Sequence, residues 1–281
     1  MIVAPVLWST AGVVTRHVGS GTPFEMVFWR SLFAFGFVAA VLLAGRHRFA
    51  LTKPALVSGA MWAVMFTAFM IALTLTSTAN TLVVMSVSPL LTALLARAFL
   101  AEPIAPRTWL AVGAAALGIA WMFASDLDVH GARDYLGMAI AAAVPVAAAI
   151  NVVTLRAAAA SVDLRPAVML GAAISCLVAA PLAFPAQASA SDIALLGFLG
   201  VFQLGLPCLL LVIASRALPA PEIALLGLLE VLLGPLWAWL GAGERPSSGT
   251  LLGGAVVLGA LALNELAAFG VNRPRIPQQD G

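Results

Sequence analysis

Ten apolar runs, each close to the length of a bilayer-spanning helix, follow one another along this chain with only short connections between them. They cover residues 2–18, 24–45, 55–75, 79–100, 107–124, 135–156, 166–185, 193–215, 220–242 and 249–270. A transmembrane helix needs about 20 predominantly apolar residues, because the hydrocarbon core is about 30 Å thick. The connections hold most of the Arg, Asp, Pro and Ser, and none is long enough for a soluble domain. Charged residues make up 9% of the 281 and hydrophobic types 62%, whereas a soluble domain carries about 25% charged residues. A chain this poor in charge cannot cover a water-facing surface, so the solvent for most of it is lipid. The net charge of +2, with no basic run and no aromatic–basic interleaving, gives no footing for nucleic acid. Cys176 and Cys208 both lie in apolar runs and read as small buried hydrophobes, with neither a disulfide framework nor a metal site.

The first run starts almost at Met1, is short and has no basic leader. It reads as a true span lacking its first few residues rather than as a secretory signal. Lys and Arg in the connections set the orientation. With the N-terminus in the cytoplasm, ten fall on that side: Arg46, Arg48, Lys53, Arg97, Arg107, Arg156, Arg165, Arg216, Arg273 and Arg275. Only Arg16, Arg133 and Arg245 fall on the other, and Arg30 lies inside a span. Both termini are therefore expected in the cytoplasm, which requires an even number of spans.

The two halves echo each other. An offset of 142 residues aligns Glu102 with Glu244 and Ala72 with Ala214. Gly113–Gly118 (GAAALG) matches Gly254–Gly259 (GAVVLG), and Pro5 matches Pro145 at an offset of 140. Five spans is an odd number, so the second copy must enter the membrane from the opposite side, the inverted repeat of many secondary transporters. The expected fold is all-α and integral to the membrane: ten transmembrane helices in two inverted five-helix repeats, residues 1–124 and 135–271, forming one transport domain. Residues 272–281 are expected to be a disordered cytoplasmic tail.

These landmarks resemble the drug/metabolite transporter superfamily, specifically its EamA-type ten-helix members. Val6–Thr10 (VLWST) looks like the opening of the family's first helix, and Phe24–Phe35 (FEMVFWRSLFAF) like its second-helix pattern, with Arg30 at the arginine position. Ser88–Glu102 looks like the Pro-to-Glu stretch that closes the fourth helix, and Gly243–Glu244 like its echo after the ninth. Val231 stands where the first repeat has Pro89, Pro235 lies one turn later, and the second repeat has no counterpart of Arg30. The resemblance covers nearly the whole chain. It implies a transporter of small metabolites working by alternating access in a bacterial inner membrane. Short loops and a neutral lining most resemble exporters of neutral or aromatic amino acids. Sugar-phosphate carriers belong to the same superfamily, but phosphate calls for several intramembrane cations, and this chain offers only Arg30.

Glu230 lies near the middle of its span, about 15 Å from either end at 1.5 Å per residue. An ionised, unpaired carboxyl there costs several kcal/mol, so it calls for a partner, a bound proton or a watery cavity. It reads as a substrate-ammonium contact or a proton site, against a structural hydrogen bond to a neighbouring helix. Arg30, about 10 Å into its span, either meets a substrate carboxylate, snorkels outward or braces helix ends. Gln203, one turn before Pro207, either orients substrate or satisfies the backbone that proline frees. Asn80, Asn151, Ser88 and Met85 are further cavity candidates, with Met61 and Met65 as adaptable lining. Trp8 is too deep for the interfacial belt and either stacks on substrate or packs between helices. Pro5 and Pro145, with Pro89 and Pro207, are candidate hinges. Ala114/Gly118 and Ala255/Gly259 suit close helix packing, and Glu102 and Glu244 read as caps or latches to Arg107 and Arg245.

No constellation for catalysis accompanies these residues. His17, His47 and His130 lie in loops, the lone lysine is Lys53 at a boundary, and no Gly-x-Ser-x-Gly elbow or metal-ligand set is present. No cofactor is expected; the expected partners are a small-molecule substrate and the lipid bilayer. The main competing reading within transport is efflux of lipophilic drugs or cations, which needs apolar walls and one anion.

Overall fold

A computed structural model describes residues 1–47, 50–76, 78–101, 103–123, 131–242 and 248–271. Glu102, Glu244, Arg245 and residues 272–281 lie outside it, and with them the expected latches and tail. The described chain is helical throughout: α1 (Val3–Trp8), α2 (Ala11–Thr15), α3 (Pro23–Ala44), α4 (Lys53–Leu75), α5 (Thr78–Met85), α6 (Ser88–Phe99), α7 (Pro106–Phe123), α8 (Ala132–Ala141), α9 (Ala143–Ala158), α10 (Arg165–Ala183) and α11 (Ala190–Phe198). A π-helical turn, Leu199–Gly205, then leads into α12 (Leu206–Ala214), α13 (Ala220–Gly227), α14 (Leu229–Ala242) and α15 (Ser248–Val271).

Six stretches are long and apolar enough to cross a membrane: Pro23–Ala44, Lys53–Leu75, Asn80–Phe99, Ala132–Ala158, Arg165–Ala183 and Ala190–Ala214. Val3–Thr15 and Leu252–Asn264 are shorter apolar helices. The outer surface is as apolar as the interior; Leu110, Leu117, Leu177 and Leu263 are each at least 70% exposed. In water such a surface would aggregate, and in lipid it is the solvated face.

Local chemistry sets the helix starts. Thr22 caps α3 in a capping box, its hydroxyl accepting from Glu25 N–H while the Glu25 carboxylate accepts from Thr22 N–H at 2.9 Å. Thr52 caps α4 and Ser189 caps α11 with their hydroxyls alone, which accept from Ala55 and Asp192 N–H. α3, α4 and α10 each carry Pro in the first turn, where the missing N–H costs nothing.

The principal packing pairs are α3 with α10, α4 with α10 and α9, α3 with the π turn, α6 with α9 and α13, and α7 with α15. The largest apolar cluster joins α3, α4, α9, α10, α12 and α13 through residues such as Val38, Trp62, Val152, Val168, Leu209 and Ile223. α7 and α15 touch backbone to backbone at Gly118, where a Cβ would stand 2.9 Å from the Gly253 carbonyl. Gly259, of the small-residue pair read from the sequence, has open space instead, and Gly253, a turn and a half earlier, is the residue of α15 that Gly118 meets.

Four of the apolar runs are pairs of half-helices rather than unbroken rods. α1 gives way to α2 at Ser9–Thr10, α5 to α6 at Ser86–Val87, α8 to α9 at Ala142, and α13 to α14 at Leu228. Hydroxyls replace lost helical bonds at two breaks. Ser9 Oγ donates to Val6 O at 2.7 Å, Thr10 Oγ1 to Leu7 O at 2.7 Å and Ser86 Oγ to Val83 O at 2.6 Å. Pro89 and Pro145 cannot donate to the carbonyls four residues back, Met85 and Ala141, which lie at their respective breaks.

Candidate functional site

The breaks converge on one cavity of about 150 Å³, where a single water needs roughly 10–15 Å³. Trp8 from the end of α1, Met85 and Ser88 from either side of the α5/α6 break, Asn151 from α9 and Glu230 from the first turn of α14 all line it. Arg30 of α3, Gln203 of the π turn and Cys208 of α12 complete its polar wall. Half-helix ends leave polar backbone groups open, which lipid tolerates only where they are covered by protein or face such a cavity.

Arg30 is 1% exposed. Its Nη2 donates to Phe66 O at 2.6 Å and its Nη1 to Gln203 Oε1 at 3.3 Å. The guanidinium carbon also lies 6.0 Å from the Phe69 ring centroid, within cation–π range. Among the described residues Arg30 Nε has no partner. Arg30 therefore does not snorkel: it ties α3 to α4 and to the π turn. The close approach that permits this is at Gly200, where a Cβ would stand 2.5 Å from Arg30 O. The π turn itself, with Leu206 N–H bonded five residues back to Val201 O, swings Gln203 toward α3; such turns recur at functional sites.

Asn151 is 1% exposed, and its Oδ1 accepts from Ser58 Oγ of α4 at 2.7 Å. With the oxygens of Asn151 and Gln203 occupied, their NH2 groups have no protein partner among the described residues. Trp62 Nε1, on a cavity-lining ring, is likewise unpartnered there. The wall thus offers Arg30 and two amide NH2 groups as donors, with Glu230 as its one carboxylate among the described residues. Glu230 is half-buried and sits in the first turn of α14, just after the bend at Leu228. Apolar and aromatic side chains fill the rest: Trp8, Trp62, Met65, Phe66, Phe69 and Met85.

Seven of the eight expected cavity residues thus share one wall, and Met65 joins them while Met61 does not. Asn80 lies elsewhere: it is fully buried and its amide donates to Thr76 Oγ1 at 2.9 Å, beside the start of α5. Asn80 and Met85 share α5 but stand five residues apart, so they point to different faces and only Met85 reaches the cavity. Pro5, Pro89, Pro145 and Pro207 are all buried in the first turns of α1, α6, α9 and α12, next to the cavity but not lining it.

Two carboxylates not singled out from sequence tie loops together. Glu25 accepts from the N–H groups of Gln187 and Ala188 at 2.7 and 3.0 Å. Asp192 accepts from Gly19 and Ser20 N–H at 3.0 and 3.2 Å and from the hydroxyls of Ser20 and Ser189. The capping pattern Thr-x-x-Glu at 22–25 was the signal available for Glu25.

A model of the EamA-like transporter family matches this chain over residues 1–124 and again over 135–265. A solved crystal structure, described only as that of a protein, aligns with it at a TM-score of 0.81 and 20% sequence identity, over 95% of this chain and 96% of the other, which is a likeness of fold. No curated protein matches it.

Proposed function

The chain belongs to the EamA-like transporter family, and on that premise we propose that its cavity carries small zwitterionic metabolites, foremost neutral and aromatic amino acids, out of the cell by alternating access. The observation that carries this reading is that Arg30, Asn151, Gln203 and Glu230 line one and the same aromatic cavity. A substrate carboxylate meets the Arg30 guanidinium and the amide NH2 groups of Asn151 and Gln203; charge-assisted bonds of this kind are the strong ones. The substrate ammonium meets Glu230. Trp8, Trp62, Phe66 and Phe69 accept the apolar body. A sugar phosphate would bring two negative charges to one cation, which disfavours it.

The topology proposed with this function has ten spans, two inverted five-helix repeats at 1–124 and 135–271 and both termini in the cytoplasm, in a bacterial inner membrane. The ten-to-three bias of Lys and Arg supports the orientation. The packing supports the repeat. Exchanging the halves carries the α3–α10 and α7–α15 pairs onto themselves, and α4–α10 onto α3 with the π turn. The half-helix pairs occur in the first and fourth runs of each half.

Efflux of lipophilic cations is the second reading, favoured by the same aromatic walls with Glu230 as counter-ion. Uptake into proteoliposomes of a panel of neutral and aromatic amino acids, a lipophilic cation and a sugar phosphate decides between them. Amino-acid uptake above empty liposomes, competed by unlabelled relatives and lost in Glu230→Gln and Arg30→Gln, is expected. Uptake of the cation alone, indifferent to Arg30→Gln, replaces this reading with the second.

A further inference from the structure

A second, smaller cavity of about 30 Å³ lies beyond the first, and Trp8, Phe69 and Glu230 line both. The central cavity extends from these three toward Met1, Leu211 and Ile223, and the small one from them toward Val13 and Arg16. The two spaces are therefore neighbours, with three side chains on α1, α4 and α14 between them. Next to Trp8, Ser9 is 5% exposed and accepts from Trp237 Nε1 of α14 at 2.7 Å while its own hydroxyl donates to Val6 O at 2.7 Å. Trp237 follows Glu230 by seven residues, two helical turns, so both project from one face of α14. One bond thus pins the α1/α2 break to the helix that carries Glu230.

We propose that Trp8, Phe69 and Glu230 form the gate of the transport path on its Arg16 side, and that the Trp237–Ser9 hydrogen bond is the latch that holds this gate shut. The proposal rests on the reading of the central cavity as the transport path. Opening requires the α1/α2 corner to move away from α14. That corner is already a break in the helix, and Ala11 and Gly12 beyond it present little side chain to unpack. Trp237 is a positioning residue here: it acts through Ser9 on Trp8.

The test needs no substrate, so it separates the gate from the identity of the cargo. Ser88→Cys, on the cavity wall, is introduced with Cys176→Ala and Cys208→Ala, and a membrane-impermeant thiol reagent is applied to each face separately in intact cells and inverted vesicles. Fast labelling from the Met1 face and slow labelling from the Arg16 face are expected. Trp237→Phe and, independently, Ser9→Ala should raise the slow rate by roughly three- to tenfold, the range for losing one hydrogen bond. Ser9→Thr, which keeps the hydroxyl, should not. Retained labelling from the Met1 face shows that a variant is folded. Equal labelling from both faces in the parent, or a slow rate that Trp237→Phe and Ser9→Ala leave unchanged, overturns the proposal. So does a Ser9→Thr rate equal to that of Ser9→Ala.

Discussion

Arg30 donates through Nη1 to Gln203 Oε1 at 3.3 Å and through Nη2 to the Phe66 carbonyl at 2.6 Å, with no carboxylate within ion-pairing distance among the described residues. A buried cation held by neutral dipoles alone is incompletely compensated, which makes it a good receptor for an anionic group. Lysine cannot reproduce this arrangement, because a compact ammonium lacks the planar fork that reaches two elements at once. Arg30→Lys is expected to raise the KM for substrate by at least about tenfold, the equivalent of about 1.4 kcal/mol, with the charge conserved. Initial rates in proteoliposomes measure it, and an unchanged KM removes Arg30 from the site.

Ser58 orients Asn151 by donating to its Oδ1 at 2.7 Å. Ser58→Ala leaves a buried carbonyl without its donor, a loss of about 1–3 kcal/mol, and frees the amide to turn its oxygen toward the substrate carboxylate. Substrate KM should rise several-fold with little change in maximal rate, and Ser58→Thr should restore it. A fall in maximal rate at constant KM would assign Ser58 to the conformational step instead.

The spans were legible because lipid imposes composition along the whole length of each, and Glu230 and Arg30 were legible because ionisable groups in apolar runs stand out. Asn151 was legible as a polar residue but not in its orientation, which depends on Ser58, 93 positions away. Trp62, Phe66 and Phe69 line the cavity yet carry no contrast inside an apolar run. The prolines announced interruptions, but the break in the first run falls at Ser9–Thr10, after Pro5, where hydroxyls rather than the proline ring compete for the carbonyls. Asn80 was legible as a polar residue near the end of its run but not in its surroundings, which bury it completely against Thr76.

Gly200 sets the distance between the π turn and α3. A Cβ there would lie 2.5 Å from Arg30 O, 2.8 Å from Phe33 Cβ and 3.0 Å from Ala34 N. Two of these three are main-chain atoms of a packed helix and cannot rotate away. Gly200→Ala should therefore destabilise the protein by about 1–3 kcal/mol or more and move Gln203 off Arg30. Gly36→Ala, where no atom lies within 4 Å, should be neutral or slightly stabilising. Thermal unfolding in detergent followed by tryptophan fluorescence compares the two, and equal midpoints would mean that the π turn is not held by this contact.

Asp163, in the connection between α9 and α10, joins three loops. Arg165 Nη2 stands 2.7 Å and Arg216 Nη2 3.6 Å from its carboxylate, and His47 Nδ1 3.4 Å. Partial burial pushes the Asp163 carboxyl up, but hydrogen bonds from Arg165, with the charges of Arg165 and Arg216, outweigh it and hold the group below its usual 3.8. The folded state therefore favours the ionised form. The stability this contributes is fully present above pH 3.8 and is lost as the pH falls through the lower folded-state value. Asp163→Asn should lower the unfolding midpoint at neutral pH, where the wild-type carboxylate is charged. The difference between the two proteins should shrink once the pH drops below 3.8, because the wild type then becomes neutral at the same position. Unfolding midpoints measured between neutral pH and the acid limit of folding test this. A gap that stays constant into acid would mean that Asp163 acts through its hydrogen bonds alone and that its charge contributes nothing to joining these loops.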